Sequence, residues 1–221
     1  MKRLIIGFIA ALCMTTAIAN TDETPDQMAR ATASTITSLI KTNRETYARD
    51  YKKLYAMVDE HVLPHFDFRK MSQQVLGPAW RNASDQQRER FTKEFRDLLV
   101  RTYATALLKY NNEEIVFLPY RHGQDDRVAL VKSQIRRTDG GPPIGINYNF
   151  YRTDSGWKVY DVAIEGPSIV TTYQRVYAQR LQKENLDQLI DNMGKENQRA
   201  VMAGPTAAAA APLPTKTEAG K

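Results

Sequence analysis

The histidines and their neighbouring carboxylates are the first residues to consider for chemistry, because imidazole and carboxylate groups bind metals and transfer protons. His61 and His65 lie four residues apart, a spacing that aligns two ligands on one face of a helix, and Asp67 follows closely. Pro64 stands between the two histidines and breaks the helix that would align them. His122 lies in a Gly-Gln-Asp-Asp turn, where we expect it to be exposed. The sequence therefore predicts no metal site at these residues.

Asp161 and Glu165 are the second group, since two carboxylates in an open α+β cone can act as acid and base, as in enzymes of the ketosteroid-isomerase type. Four residues along a strand separate them by about 13 Å, which is too far for direct cooperation. A bend at Gly166 would change that distance, so such a small-molecule enzyme stays open as an alternative. The chain has no nucleophile motif and no phosphate-binding loop, and our first expectation is neither catalysis nor a cofactor.

The N-terminus has the three parts of a secretory signal peptide. Two basic residues come first, a nine-residue apolar run that is too short to span a bilayer follows, and Ala17-Ile18-Ala19 has the pattern of a cleavage site. We expect residues 1–19 to be removed by cleavage after Ala19. A lipoprotein signal that uses Cys13 fits poorly, because Leu12 is not a small residue. Cys13 is the only cysteine, so the mature protein would contain no thiol.

Composition limits the mature chain to one domain with a tail. The full chain has a formal net charge of +6, and loss of Lys2 and Arg3 would leave about +4. Charges of both signs are interspersed and form no basic stripe, which argues against nucleic-acid binding. Outside the signal, no apolar run reaches the ~20 residues of a membrane helix. We expect a soluble domain over residues 20–200 and a disordered Ala/Pro-rich tail over residues 201–221.

Apolar residues at steps of three and four predict helices in both halves of the chain. Thr24 and Pro25 suit the start of the first helix. Ser84 and Gln87 form a capping-box pair at the start of the longest one, and Trp80 is expected in the loop before it. The other predicted helical segments are residues 44–62, 65–76, 85–110 and the stretch from 168 onward.

Four candidate strands follow the longest helix, at residues 114–120, 127–137, 144–153 and 157–165. In the third, Ile144, Ile146, Tyr148 and Phe150 alternate with glycine or asparagine, which is typical of a sheet with one apolar face. Short, turn-rich gaps predict antiparallel hairpins. Helices, then a meander, then further helix predict an α+β fold, with an antiparallel sheet of four strands or slightly more and helices on one face.

Several stretches, taken in order, carry a resemblance to a known family. They are residues 58–67 (VDEHVLPHFD), 75–77 with Trp80, 88–99 (RERFTKEFRDLL), 148–151 (YNFY), 157–168 (WKVYDVAIEGPS) and 173–193. With a signal peptide in front of them, these stretches resemble the MlaC family, also called the toluene-tolerance Ttg2 auxiliary component. Its members are periplasmic phospholipid-binding proteins of the Mla pathway, which maintains outer-membrane lipid asymmetry in Gram-negative bacteria.

The resemblance implies a sheet and helices that enclose an apolar lipid cavity, with phospholipid as cargo rather than cofactor, and no catalysis. It implies two partners, the MlaA–porin complex of the outer membrane and the inner-membrane ABC transporter MlaFEDB, which contains MlaD. It also implies a periplasmic location for the mature protein.

On this reading, lipid lies between the apolar sheet face and the longest helix. The predicted lipid-binding residues are Phe91, Phe95, Leu98, Leu99, Val128, Leu130, Ile144, Ile146, Tyr148, Phe150, Val162 and Ile169. Periodicity alone does not separate a lined cavity from a filled core. A non-lipid envelope adaptor with a solid interior therefore remains a further alternative.

Overall fold

A computed structural model of the protein describes residues 23–120 and 125–203. The predicted signal peptide with its cleavage after Ala19, the turn at His122 and the tail from residue 204 onward lie outside the described residues. The helices are α1 (Pro25–Arg49), α2 (Tyr51–His61), α3 (Phe68–Leu76), α4 (Pro78–Asn82), α5 (Asp85–Leu107), α6 (Ile169–Arg180) and α7 (Leu186–Ala203), with a 3₁₀ turn at Leu63–His65. The strands are β1 (Glu114–Phe117), β2 (Val128–Arg136), β3 (Ile144–Thr153) and β4 (Gly156–Ile164).

The two predicted helix starts are confirmed. Thr24 caps α1, and Pro25 occupies its first turn, where a missing N–H costs nothing. At α5 the Ser84 hydroxyl accepts from the Gln87 N–H at 3.2 Å, while the Gln87 side chain accepts from the Ser84 N–H at 3.0 Å. Each capping box satisfies two donors that the first helical turn leaves unpaired.

The boundary between the first two helices differs from the prediction. The expected second helix began near residue 44, whereas α1 runs through Arg49 with one non-helical residue, Asn43, inside it. The break falls at Asp50, whose carboxylate accepts from the Lys52 N–H at 3.1 Å and so caps α2. A short acidic side chain competes for backbone donors, and this local hydrogen bond ends one helix and begins the next.

Several further boundaries also differ. The segment predicted as a helix from residue 65 contains the 3₁₀ turn, and α3 begins at Phe68 because Asp67 caps it through the Lys70 N–H at 2.8 Å. Trp80, expected in a loop, lies buried in α4. The stretch after residue 168 forms two helices, with Asn185 and Gln188 bonded reciprocally at the start of the second. This last helix continues to Ala203, three residues into the predicted tail.

The four strands form one antiparallel sheet in the order β1-β2-β3-β4, as the sequence predicts. β1 and β4 are therefore the edges. Part of the β4 edge is covered, because the Asp67 N–H donates to the Val159 carbonyl at 2.9 Å and Ser168 forms a bridge to Ala163. Such cover blunts the tendency of an open edge to pair with another chain.

Buried apolar residues form two clusters. The larger joins the sheet with α3, α5, α6 and α7, and the smaller joins α1 and α2 with Ala104 of α5. The fold is thus α+β with helices packed against the sheet, and the larger cluster lies between these layers. Within the described ranges, none of the helices combines the length and the apolar character that crossing a membrane requires.

Candidate lipid-binding site

The strand register defines which side chains share the face of the sheet that joins the larger cluster. We call this the inner face and describe it as four rows that cross the strands. The rows are Ile115, Ile135 and Ile144; Phe117, Ser133, Ile146 and Ile164; Val131, Tyr148 and Val162; and Ala129, Phe150 and Val159. Except for Ser133 and the Tyr148 hydroxyl, every side chain in these rows is apolar.

Burial changes steadily along these rows. Ala129, Phe150 and Val159 are all buried, with Phe150 only 1% exposed, and we call this row the closed end. Ile115, Ile135 and Ile144 at the opposite end are all half-buried, and we call this row the open end. The two middle rows mix buried and half-buried residues. The inner face is therefore a filled core at one end and a partly uncovered apolar surface at the other.

Val128 and Leu130, both predicted to bind lipid, lie on the opposite face of the sheet, and each is 44% exposed. The prediction that they share the inner face is wrong. Side chains alternate along a strand, and the pairing of Val131 with Tyr148 puts the odd-numbered residues of β2 inside. Strand register therefore decides which of the alternating residues of β2 face the interior.

The predicted residues at the start of α5 belong to a filled aromatic cluster. Phe91 and Phe95 are fully buried and stack with a centroid distance of 5.9 Å. Tyr177 of α6 meets the edge of Phe91 at 5.4 Å, and Tyr173 meets Phe95 at 5.3 Å. Edge-to-face pairs at these distances are favourable packing. These rings pack against one another, so they form part of the filled core rather than the lining of an accessible site.

The remaining predicted residues separate by burial. Leu99, Val162 and Ile169 are buried, whereas Leu98, Ile144, Ile146 and Tyr148 are half-buried. Leu98, Ile146 and Tyr148 pack against the larger cluster, while Ile144 lies on the inner face opposite Ile135. The sequence analysis omitted further half-buried residues of this cluster or face. The omitted half-buried residues are Tyr103, Ile115, Phe117, Ile135 and Ile164. The alternation of Ile115 and Phe117 in β1 was available as a pattern, but two apolar residues are too few for it to stand out.

Helix α1 lies beside the row that contains Phe117, next to the open end of the inner face. Met28 and Ala29 pack against the larger cluster, and the Arg30 guanidinium lies 4.8 Å from the centre of the Phe117 ring. A cation at this distance is attracted by the ring face. The first turns of α1 therefore border the half-buried rows and place the Arg30–Asp26 ion pair, with a distance of 2.8 Å, beside them.

The polar groups near these rows keep their protons. Burial raises the pKa of Tyr148, although the neighbouring Ser133 hydroxyl opposes this shift. Burial also raises the pKa of Tyr103, and Tyr173 adds to that effect. Neutral phenols in an apolar setting offer hydrogen bonds without a charge to desolvate.

The carboxylates considered for catalysis do not face this region. Asp161 is paired across the sheet with Asn149, on the opposite face, and is 8% exposed. Its oxygens accept from the Val170 N–H at 3.1 Å and from the Asn149 amide at 3.4 Å. Glu165 is exposed in the turn that follows β4. Asp161 therefore anchors the first turn of α6, which gives it a structural role.

The histidine segment is also structural in its contacts. His61 ends α2, His65 lies in the 3₁₀ turn and Asp67 caps α3 while accepting a hydrogen bond from the Tyr151 hydroxyl. Burial lowers the pKa of His65, and Lys158 lowers it further. In the described ranges, no three histidine, cysteine or acidic side chains form a group that suits a metal ion.

Two surface grooves of about 340 and 350 Å³ lie among the helices. The first is bordered by α2, α5 and α7, and the second by the connection between α6 and α7 and by the first half of α7. Neither contains a predicted lipid-binding residue. The half-buried rows of the inner face are therefore the candidate site on the strength of their apolar character and exposure.

An α+β domain whose antiparallel sheet leaves part of an apolar inner face uncovered is suited to bind an apolar ligand. Comparison with known proteins makes this class specific. The family model described as MlaC protein matches residues 30–195. The chain belongs to the MlaC family, which confirms the resemblance found in the sequence.

Relatives and a solved structure agree with this placement. A Haemophilus influenzae protein, the intermembrane phospholipid transport system binding protein MlaC, is 26% identical over 86% of this chain and 89% of its own length. The Pseudomonas putida toluene tolerance protein Ttg2D is 25% identical over 92% of this chain and 94% of its own. The phospholipid-binding protein from Ralstonia solanacearum, solved in complex with a phospholipid, superposes with a TM-score of 0.73 and 26% identity. That match covers 79% of this chain and 97% of the other.

Proposed function

We propose that this protein is a soluble phospholipid carrier of the periplasm. The acyl chains of the bound phospholipid lie along the half-buried part of the inner face. The observation that carries the proposal is the set of half-buried apolar side chains that β1, β2, β3, β4 and α5 present together. Family membership and the likeness to a protein solved with bound phospholipid support it.

The free energy of lipid transfer requires a site that buries the acyl chains. Two acyl chains contain on the order of 30 methylenes, and each contributes ~0.8 kcal/mol when it leaves water. The gross stabilisation of roughly 24 kcal/mol is needed because a donor membrane offers the chains a similar environment. Transfer then requires a nearly balanced exchange, and the phospholipid head group stays at the mouth of the site in water.

The carrier would receive or deliver lipid at membrane complexes rather than act as an enzyme. By family analogy these are the MlaA–porin complex in the outer membrane and MlaFEDB, through MlaD, in the inner membrane. The predicted signal peptide supports export to the compartment between them. The enzyme alternative has no support from Asp161, whose side chain lies on the face of the sheet away from these rows and accepts a hydrogen bond from the first turn of α6.

A pair of matched substitutions on opposite faces of the sheet tests the proposal. Ile146→Trp fills the half-buried part of the inner face, whereas Leu130→Trp adds the same bulk to the exposed face. Each mature protein is purified, extracted with organic solvent, and its phospholipid measured by mass spectrometry against protein amount.

We expect the unaltered protein and Leu130→Trp to carry phospholipid and Ile146→Trp to carry several-fold less. Circular dichroism shows whether each variant is folded. Equal lipid in both variants would place the site elsewhere. A folded, unaltered protein that carries no phospholipid, and takes none up from vesicles, would favour the adaptor alternative with a solid interior.

A further inference from the structure

The half-buried part of the inner face has a length that is set by the spacing of residues along β3. Ile144 and Tyr148, which bracket the half-buried part of β3, are four residues apart, or about 13 Å at ~3.3 Å per residue. One leaflet of a bilayer contributes about 15 Å of hydrocarbon, half of the ~30 Å core. The half-buried stretch is thus close to the length of one ordinary phospholipid acyl chain.

What lies beyond Tyr148 is filled. Phe150 is 1% exposed, and its cross-strand partners Ala129 and Val159 are also buried. The pairing between β3 and β4 shifts register between Asn149 and Phe150, so the strand is irregular at the point where the filled part begins. A bulge of this kind re-aims side chains locally.

The filled part also includes the start of α5. Phe91 and Phe95 there are fully buried, whereas further along the helix the buried Leu99 lies between the half-buried Leu98 and Tyr103. Both sets belong to the cluster that contains Phe150. The filled part of the sheet therefore shares its cluster with large aromatic rings of α5, which interlock with those of α6.

From this arrangement we infer that Phe150, at the closed end, limits the length of acyl chain that the protein accepts. The inference rests on the proposed function. A methyl terminus that reaches the closed end meets a ring in a close-packed setting, where extra methylenes are not accommodated without displacing side chains. Longer chains would have to leave methylenes at the open end in contact with water, at ~0.8 kcal/mol each. Phospholipids with chains longer than the site are therefore disfavoured.

The test changes the depth of the site in both directions. Phe150→Leu replaces a buried ring by a smaller side chain and deepens the site. Ile146→Phe adds a ring at a half-buried position and shortens the site. Tyr47→Leu is the matched control, because it replaces a buried aromatic residue in the smaller cluster, away from the sheet. Delipidated proteins are incubated with an equimolar series of saturated diacyl phosphatidylglycerols of increasing chain length, and the retained species are weighed by mass spectrometry.

We expect the mean retained chain of Phe150→Leu to lengthen by about two methylenes, the depth that such a truncation opens. Ile146→Phe should shift the distribution by a similar amount towards shorter chains, and Tyr47→Leu should match the unaltered protein. If Phe150→Leu does not fold, the direction of the Ile146→Phe shift decides.

Retained lipid with the same length distribution in every variant overturns the inference and leaves the proposed function intact. An equal shift in Tyr47→Leu also overturns it, because the effect would then be a general loosening. Absence of any retained phospholipid in the unaltered protein overturns both.

Discussion

The carboxylate of Asp161 accepts a hydrogen bond from the backbone N–H of Val170 at 3.1 Å, so that β4 directly holds the first turn of α6. Ser168 caps the same turn by accepting from the Thr171 N–H at 3.0 Å. Two orphan donors of the helix are thus satisfied by side chains that belong to the end of the sheet and the turn after it. This connection fixes α6 beside the strand whose other face borders the candidate site.

Loss of this anchor should lower stability. We expect Asp161→Ala to reduce the free energy of unfolding by about 2 kcal/mol, because a buried hydrogen bond to a charged acceptor is lost. Asp161→Asn, which keeps an acceptor oxygen, should lose less. Glu165→Gln, at the exposed turn, should stay within about 0.5 kcal/mol of the unaltered protein. Denaturant titration measures all three, and an unchanged Asp161→Ala would show that the bond contributes nothing.

The side chain of Asn197 in α7 forms hydrogen bonds to two residues of α5. Its oxygen accepts from the Arg101 guanidinium, and its nitrogen donates to the Glu94 carbonyl at 3.0 Å and the Glu94 carboxylate at 2.7 Å. Arg101 is 7% exposed, its Nε has no acceptor within the described residues, and burial lowers its pKa. Burial of this cation is a cost to the fold, which the charges of Glu94 and Asp97 and the Asn197 acceptor offset in part.

We expect Asn197→Ala to lower the free energy of unfolding by about 2 to 3 kcal/mol, because it leaves the Arg101 charge buried without its acceptor. Arg101→Met should change it by less than about 1 kcal/mol, since the substitution removes the charge and keeps the volume. In a double-mutant cycle the combined loss should be smaller than the sum of the single losses. Strict additivity would contradict this account of the pair.

Stability should also fall at high pH. Burial raises the pKa of Tyr148, Tyr173 and Tyr103 above the ordinary value of 10.0. A folded-state pKa above the unfolded one gives a contribution that is complete below pH 10 and is lost as the pH rises towards the folded value. We therefore expect the denaturation midpoint to be level from pH 8 to 9 and to fall above pH 10, with part of the tyrosinate absorbance appearing only as the protein unfolds. Tyrosinate that forms fully in the folded protein at pH 10 would contradict the expectation.

Removal of bound lipid should destabilise the protein if the proposed function holds. A ligand that binds only the folded state adds about 2.7 kcal/mol at a free concentration 100 times its Kd. For a chain of this size that corresponds to roughly 5 to 10 °C in the unfolding midpoint. Delipidated protein should also bind more of an apolar fluorescent dye. The unfolding midpoint of Ile146→Trp, whose added bulk fills the site, should fall less on delipidation. Scanning calorimetry before and after extraction, then after reloading, measures the change.

Local patterns were sufficient for much of the fold. Ser84 and Gln87 identify the start of α5 without any knowledge of its neighbours, because the capping box is made within three residues. The alternation at Ile144–Phe150 and the short gaps between strands predict the meander for the same reason. The break at Asp50 was missed because the apolar stripe of α1 continues into α2. Only the side-chain cap that Asp50 provides separates the two helices.

The site was less accessible to prediction. Phe91 and Ile146 are both apolar residues on predicted faces, yet one is fully buried and the other half-buried. The difference arises from Tyr177 of α6, which covers Phe91 from a point far along the chain. Leu130 was assigned to the wrong face because an isolated strand gives its period but not the parity that its partners impose.

By itself the sequence determined the α+β class, the order of helices and strands, the antiparallel meander and the family, since each of these depends on residues that are close along the chain or on stretches in a fixed order. Tertiary structure alone decided which face of β2 points inward, where the interior is filled and where it stays partly open. Those outcomes depend on strand register and on rings contributed by a distant helix, and no local periodicity encodes the contacts between segments that meet only when the chain has folded.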